Sequence, residues 1–203
     1  MLGILLAAGR GTRMKSESPK VLFQVNGECL CWGPLEALLK NCDRVVVVVG
    51  YKGEEVKSVI SRAVENYMGA EVLKSRIQFC TQDPPQGTGD AVRTALLAVG
   101  RSITQFPEVL VVNGDLPLIR EQTLKKLVTY CRDRKIQSAC LSMMVRQPKG
   151  LGRILRDETG IFSGIREEKD AKPHELKIRE VNGGVYYFQK DLLEGEIQNL
   201  KTN

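Results

Sequence analysis

Histidine is almost absent from this sequence, which contains only one, His174. It stands between a proline and a glutamate in a polar stretch, a setting typical of a solvated loop. The sequence therefore offers little to reactions that depend on a histidine base or on a metal held by several imidazoles. We expect the chemistry of this protein to work without a histidine.

Aromatic residues are also scarce, at 5% of 203 residues, and no long tract of lysine and arginine occurs. Proteins that bind nucleic acid usually carry such tracts and stack bases on aromatic rings. The net charge of +6 comes from 30 Lys and Arg against 24 Asp and Glu and is scattered along the chain. We expect no nucleic acid partner, and a basic surplus of this kind suits small polyphosphates bound at one focused site.

Long apolar runs are missing as well, and none approaches the ~20 residues that a membrane helix needs. The apolar start, Leu2–Ala8, is too short for the core of a secretory signal and has no cationic lead. Hydrophobic residues make up 42% of the chain and charged residues 27%, an ordinary balance for a globular domain. We expect a soluble cytoplasmic protein with no membrane partner.

The six cysteines include no Cys-x-x-Cys pair. Structural zinc normally needs clustered cysteine and histidine ligands, so a zinc site is not expected. A disulfide framework is not expected in a chain of this length without a signal peptide. We predict reduced thiols, buried or incidental, at Cys29, Cys31, Cys42, Cys80, Cys131 and Cys140.

The apolar runs that are present predict an α/β fold. They lie at Leu2–Ala8, Arg44–Gly50 and Val109–Val112, and their lack of alternation is typical of strands covered on both faces of a parallel sheet. Amphipathic helical patterns stand between and after them, in "LEALLKNC" behind Gly33-Pro34, "GEEVKSVISRAVENY", "GTGDAVRTALLAVG" and "EQTLKKLVTYCRD". We predict one domain over residues 1–203, a Rossmann-like, doubly wound mixed sheet.

A small antiparallel flap is predicted beyond about residue 135. The stretches "SACLSMMV" and "VNGGVYYF" have strand patterns. Between them, "GRILRDETGIFSGIREE" has the pattern of a hairpin with its turn at Asp157–Gly160.

Two glycines and several basic residues follow the first predicted strand, in "LLAAGRGTRMKSESPKVL". Gly9 and Gly11 would let backbone N–H groups approach anionic oxygens, and Arg13 and Lys20 could add charge-assisted hydrogen bonds. The stretch is neither a Walker A loop nor a complete Gly-x-Gly-x-x-Gly, whose third glycine is replaced by Met14. A tight turn with solvated charges is the structural alternative.

Two further segments carry candidate ligands. Asp115, in "NGDLPLI", follows a buried strand and is placed to hold Mg²⁺, although a turn or helix-cap aspartate fits equally well. In "TQDPPQGTGDAV", Gln82 can both donate and accept at a base edge, and Gly87 and Thr88 open a helix next to a ligand. Gln82 does not decide between uracil and cytosine, because its amide can flip.

Candidate sugar ligands come later, in "GLGRI", "REEKDA" and "EVNGGV". Gly152, Glu167 and Asn182 are the kinds of backbone, acidic and amide groups that bind sugar hydroxyls and amides. Each of them taken alone also fits a purely structural role.

Taken together, these motifs resemble the sugar-nucleotide pyrophosphorylases, the nucleoside-diphosphate-sugar transferase family. The opening stretch is specific to that superfamily, while "GLGRI" and "EEKDA" point to the branch of bacterial N-acetylglucosamine-1-phosphate uridylyltransferases. The matching stretches follow the family's order from Leu5 to Val185.

The resemblance implies a reaction, substrates and residue roles. A sugar-1-phosphate oxygen would attack the α-phosphorus of UTP and release pyrophosphate, with N-acetylglucosamine-1-phosphate as partner substrate and Mg²⁺ as cofactor. The implied roles are a nucleotide pocket at Leu6, Ala7, Ala8, Gly9 and Gly11, uracil contacts at Gln82, Gly87 and Thr88, phosphate contacts at Arg13 and Lys20, a magnesium ligand at Asp115, and amino-sugar contacts at Gly152, Glu167 and Asn182.

Parts of the family pattern have no counterpart in this sequence. Neither the asparagine that is the second protein ligand to magnesium nor the hexapeptide repeats of a left-handed β-helix occur, so acetyl transfer is not predicted and the domain is expected to be truncated at its C-terminus. The oligomeric state stays open between a monomer and a weak dimer. Two alternatives stay open as well: a different sugar phosphate or nucleotide such as CTP, or a non-catalytic nucleotide-sugar-binding protein.

Overall fold

A computed structural model describes residues 1–11 and 16–199 of the protein. The chain forms two compact units: Met1–Ala139 with Tyr187–Asn203, called unit 1, and Cys140–Tyr186, called unit 2. No helix within the described residues is long and apolar enough to cross a membrane.

The secondary structure alternates strands and helices before it changes to consecutive strands. The strands are β1 Leu2–Ala7, β2 Gln24–Val25, β3 Glu28–Cys29, β4 Arg44–Val49, β5 Ile77–Thr81, β6 Glu108–Asn113, β7 Ser138–Met144, β8 Arg153–Arg156, β9 Phe162–Arg166 and β10 Glu180–Gln189. The α-helices are α1 Trp32–Asn41, α2 Gly53–Met68, α3 Ala70–Arg76, α4 Thr88–Val99, α5 Glu121–Asp133 and α6 Lys190–Ile197.

Unit 1 contains four parallel strands in the order β5-β4-β1-β6. Strand β1 is central, and Leu2 pairs with Arg44 on one side and with Val109 on the other. The five valines of β4 are completely buried, because helices cover the sheet and leave no solvated face for polar residues. The predicted strands at these three runs are confirmed.

The helices of unit 1 follow the sequence patterns closely. Helix α1 has Pro34 in its first turn, where the missing N–H of a proline costs nothing, and α5 has the bounds of the predicted stretch. Strand β5, the two-residue strands β2 and β3, and the helices α3 and α6 were not predicted. Among residues 1–11 and 16–199, strand β5 pairs only with β4, and it is half-buried, so it lacks the continuous apolar run of the inner strands.

Unit 2 is the predicted flap, with antiparallel pairing between β8 and β9 and between β8 and β10. The predicted turn is confirmed, because a carboxylate oxygen of Asp157 accepts hydrogen bonds from the backbone N–H groups of Thr159 and Ile161, both at 2.9 Å. Strand β10 continues into unit 1, where the buried Tyr187 hydroxyl donates to Glu108 at 2.9 Å. The mixed sheet with helices is the α/β fold class that the sequence predicted.

Candidate active site

The carboxyl ends of β1 and β6 bring two sequence-distant loops together. Leu6 pairs with Asn113, and one residue later the N–H of Gly114 donates to the carbonyl of Leu6 at 2.9 Å. A Cβ on Gly114 would lie 2.9 Å from that carbonyl oxygen, so only glycine permits this approach. The close contact carries Asp115 to the loop that follows β1, as expected for ligand-binding residues at parallel strand ends.

Lys20 and Asp115 form an ion pair at this edge of the sheet, with Nζ 2.5 Å from Oδ2 across 95 residues of sequence. Gly11 makes room for the lysine, because it has a φ of +65° and a Cβ there would lie 2.6 Å from the Cβ of Lys20. The two side chains remain 39% and 31% exposed. A half-exposed ammonium in this position can exchange its carboxylate partner for a phosphate oxygen.

A cavity of about 270 Å³ opens beside this ion pair. Nine of the predicted site residues line it. Lys20 lies in the 3₁₀ helix Lys20–Leu22, and the others come from the ends of β1, β5 and β6 and from the start of α4. The lining residues are Leu6, Ala8, Gly9, Gly11, Lys20, Val21, Gln82, Pro85, Gly87, Thr88, Ala91, Asn113 and Asp115. Ala7, predicted with its neighbours, is buried in β1 and is not among the lining residues.

Asn113 is the polar lining residue that the sequence analysis did not single out. It is the last residue of β6 and stands two positions before Asp115. A polar residue closing a buried apolar strand is the signal that could have identified it. Arg13, predicted to hold phosphate, lies outside the described residues.

The start of α4 forms another wall of the cavity. Thr88 is the first helical residue, and Gly87 before it has a φ of +96°. The free N–H groups of a helix N-terminus favour partially negative ligand atoms. Gln82 follows β5, and its own N–H donates to the carbonyl of Val49 at 2.8 Å, which fixes its backbone at the strand end.

The site fits magnesium only with help from a bound nucleotide. Asp115 is the one carboxylate among the described residues that line the cavity, and the described part of the chain has no group of three His, Cys, Asp or Glu residues that could hold a metal. Magnesium commonly takes one or two carboxylates and fills its other positions with phosphates and water. Asp115 has one oxygen free of Lys20 for this purpose.

The three predicted sugar-binding residues lie close to one another in unit 2. The N–H of Asn182 donates to the carbonyl of Gly152 at 2.8 Å, and a Cβ on Gly152 would lie 3.0 Å from Oε1 of Glu167. The Asn182 amide also binds within its own strand, donating to the Tyr186 hydroxyl at 2.6 Å and accepting from the N–H of Gly184 at 3.0 Å. Unit 2 thus brings the three predicted sugar-binding residues close together.

His174 is exposed and lies in unit 2 at the start of a short 3₁₀ helix, Glu175–Lys177. It is not among the residues that line the cavity in unit 1. This placement agrees with the interpretation of His174 as a loop residue rather than a catalytic base.

Comparison with known proteins decides the family of the chain. Residues 3–166 match the sequence profile of the MobA-like NTP transferase domain. The chain belongs to the MobA-like NTP transferase family. Its relatives place this transferase among nucleotidyltransferases of the sugar-nucleotide pyrophosphorylase kind, as the sequence motifs predicted.

Two relatives illustrate the match. A probable UDP-N-acetylglucosamine pyrophosphorylase of Acanthamoeba polyphaga mimivirus is 36% identical over 201 residues, covering 98% of this chain and 74% of the relative. The bifunctional protein GlmU of Anaeromyxobacter sp. (strain K) is 36% identical over 204 residues, covering 100% of this chain but 39% of GlmU. The NTP transferase chain therefore spans about two fifths of the bifunctional relatives that it matches.

A solved structure supports the fold. A UDP-glucose pyrophosphorylase crystallised with UDP-glucose superposes with a TM-score of 0.71 at 18% identity, covering 95% of this chain and 77% of that one. The shared architecture is that of the nucleotide-diphospho-sugar transferases.

Proposed function

We propose that this protein transfers UMP from UTP to N-acetylglucosamine-1-phosphate, giving UDP-N-acetylglucosamine and pyrophosphate. The observation that carries the proposal is the Lys20–Asp115 pair at the rim of a glycine-lined cavity, where a cation and a possible metal ligand face the same space. The names of the two relatives supply the choice of UDP-N-acetylglucosamine.

The reaction needs neutralisation of the negative charge on the phosphates rather than a general base. An oxygen of the sugar phosphate attacks the α-phosphorus of UTP, a new P–O bond forms, and the bond to the β-phosphate breaks to release pyrophosphate. Because the attacking group is already an anion, no proton has to be removed. The barrier comes from bringing two anions together in line.

The residues of unit 1 divide this task. Lys20 leaves Asp115 and donates to the phosphates, and Arg13, which follows Gly11 in the sequence, adds a second cation. Magnesium, when held by Asp115 and the nucleotide, supplies further neutralisation of phosphate charge. The nucleotide lies against Leu6, Ala8, Gly9 and Gly11, while Gln82, Gly87 and Thr88 hold its base.

The amino sugar is assigned to unit 2. Gly152, Glu167 and Asn182 offer a carbonyl, a carboxylate and an amide within a small region of that unit. These groups suit the hydroxyl and acetamido groups of N-acetylglucosamine. Their assignment depends on the motif resemblance and on this proximity.

The test is a pyrophosphate-release assay of the unmodified chain with UTP, CTP, GTP and dTTP, each combined with several sugar-1-phosphates. We expect the fastest release with UTP and N-acetylglucosamine-1-phosphate, and none without a divalent cation. Faster release with another pair would replace these substrates. Binding of UDP-N-acetylglucosamine without release from any pair would instead identify a nucleotide-sugar-binding protein.

A further inference from the structure

The side-chain amide of Gln82 is held in one orientation. Its Nε2 donates to the carbonyl oxygen of Gly87 at 3.0 Å and to Oδ2 of Asp90 at 2.7 Å. Both partners are acceptors only, and together they use both hydrogens of the NH₂ group. Turning the amide over would bring Oε1 against two oxygens and leave the NH₂ group of the buried Gln82 without these two hydrogen bonds, which is costly.

Asp90 keeps its acceptor character at neutral pH. It lies in the first turn of α4, where the helix dipole favours a negative charge, and its other oxygen forms an ion pair with Arg93. The hydrogen bond from Gln82, followed by the one from Arg93, lowers the pKa of the Asp90 carboxyl. Asp90 therefore remains a carboxylate that can only accept a hydrogen bond from Gln82.

The orientation leaves Oε1 of Gln82 available to a ligand. Gln82 is only 5% exposed, and no donor to its Oε1 is present in the described part of the chain. Among residues 1–11 and 16–199, the only fully buried side-chain nitrogen or oxygen without a hydrogen-bond partner is Nε of Arg153. Because Oε1 of Gln82 has no donor among these residues and is not this atom, it must keep some accessible surface. Since Gln82 lines the cavity, its free group there is an acceptor.

We propose that Asp90 is a positioning residue that fixes the Gln82 amide with its oxygen toward the nucleotide base, and so selects uracil over cytosine. In this arrangement N3 of the base lies opposite the oxygen: uracil carries a hydrogen on N3 and donates it, whereas N3 of cytosine is itself an acceptor and would face the oxygen with a lone pair. This inference rests on the proposed function and names the residue that sets its base specificity. A fixed Gln82 amide decides between uracil and cytosine, which a freely turning amide does not.

The experiment compares kcat/KM for UTP and for CTP in the unmodified chain and in Asp90→Asn. An asparagine can offer either its oxygen or its NH₂ group, so Gln82 is free to turn and present a donor to cytosine. We expect the unmodified chain to prefer UTP by roughly a hundredfold. In Asp90→Asn the preference should fall about tenfold or more, with the value for CTP rising.

Two further variants separate positioning from a general structural effect. Asp90→Glu keeps an acceptor-only group and is expected to keep the preference for UTP. Asp133→Asn makes the same change at the exposed end of α5 and is expected to leave the ratio as it is. A fall of both substrates by the same factor in Asp90→Asn would overturn the positioning role.

Binding measurements distinguish this proposal from the proposed function. If the chain releases no pyrophosphate, the proposed reaction fails, but calorimetry with UMP and CMP still tests the role of Gln82. The same calorimetry on the unmodified chain serves if circular dichroism shows that Asp90→Asn is unfolded. Equal affinity for UMP and CMP, or tighter CMP binding, would overturn the proposal.

Discussion

The interior of unit 1 and the interior of unit 2 are stabilised by different interactions. In unit 1 the strands β1, β4 and β6 are buried almost throughout. The candidate site lies at the carboxyl ends of β1 and β6, with the segment after β5 and the start of α4 forming the rest of its wall. In unit 2 most of β7 and β9 is exposed, and charged side chains form hydrogen-bonded pairs, such as Arg153 with Glu168 and Arg156 with Glu180. Apolar burial thus fixes the first candidate site, and polar pairing organises the second.

The largest expected effect concerns this difference in packing. Leu110→Ala removes a completely buried side chain from β6 and should lower the free energy of unfolding by about 2–5 kcal/mol. Ile165→Ala in β9, where the isoleucine is 36% exposed, should cost about 1 kcal/mol or less. Urea unfolding followed by circular dichroism measures both, and equal losses would remove the contrast between the units.

The next effect concerns the ion pair of unit 1. Lys20→Ala and Asp115→Asn should each lower kcat by ~10²–10³-fold, because each removes a contact that stabilises transition-state charge. Stability should change by only about 1 kcal/mol or less, since both side chains are partly solvated. Initial rates of pyrophosphate release measure this, with Asp133→Asn as the matched control. An effect on KM alone would place the pair in nucleotide binding instead.

A smaller effect is the pH response of unit 2. Hydrogen bonds from Arg156, and then from Ser142, lower the pKa of Glu180 to about 2. Because the folded pKa lies below the unfolded value of about 4.3, the stabilisation is complete above about pH 5 and is lost as the pH falls toward 2. Carboxyl NMR should show this low midpoint, and Arg156→Met should raise it toward the ordinary value.

Arg166→Met is the control for that titration, since Arg166 lies on the neighbouring strand and pairs with Glu175 at 3.8 Å. It should leave the Glu180 midpoint in place. A Glu180 midpoint near 4 in the unmodified chain would show that polar pairing does not organise this part of unit 2.

The smallest expected effect is a difference in alkylation rate between two half-buried thiols, one from each unit. A hydrogen bond with the Cys31 thiol, 3.4 Å away, lowers the pKa of Cys29 in unit 1 to about 7, whereas burial raises the pKa of Cys140 in unit 2. Iodoacetamide at neutral pH should therefore alkylate Cys29 about tenfold faster than Cys140, because the thiolate is the reactive form. Mass spectrometry of the two peptides measures the rates.

Cys31→Ala should raise the pH midpoint for alkylation of Cys29, and Cys42→Ala, which removes a buried thiol elsewhere in unit 1, should not. Similar alkylation rates for Cys29 and Cys140 would contradict the assigned pKa directions.

The fold was predictable where burial leaves a simple pattern. Valine-rich β4 could only be an inner strand, and the periodicity of α5 gave both of its ends. Strand β5 escaped prediction because it is short and pairs on one side only, so its residues are half-buried and mixed in character. In unit 2 the turn residues at Asp157–Gly160 carried the prediction, since the exposed strands offered little burial signal.

The residues of the candidate site could be predicted from the sequence, but the hydrogen bonds that orient their side chains could not. Motif resemblance identified Lys20, Asp115 and Gln82, and the parallel sheet brings them to one cavity. The sequence could not show that the Gln82 amide is fixed, because that depends on Asp90 reaching back from the first turn of α4. Nor could it show the close pairing of the Cys29 and Cys31 thiols, which depends on the conformation between β3 and α1.

The most direct test of the account is a crystal structure of the chain with UDP-N-acetylglucosamine. We expect the diphosphate within hydrogen-bond distance of Nζ of Lys20, beside Gly11 and Asp115, with N3 of uracil donating to Oε1 of Gln82. A diphosphate bound away from this cavity would contradict the claim that the ends of β1 and β6 form the phosphate site.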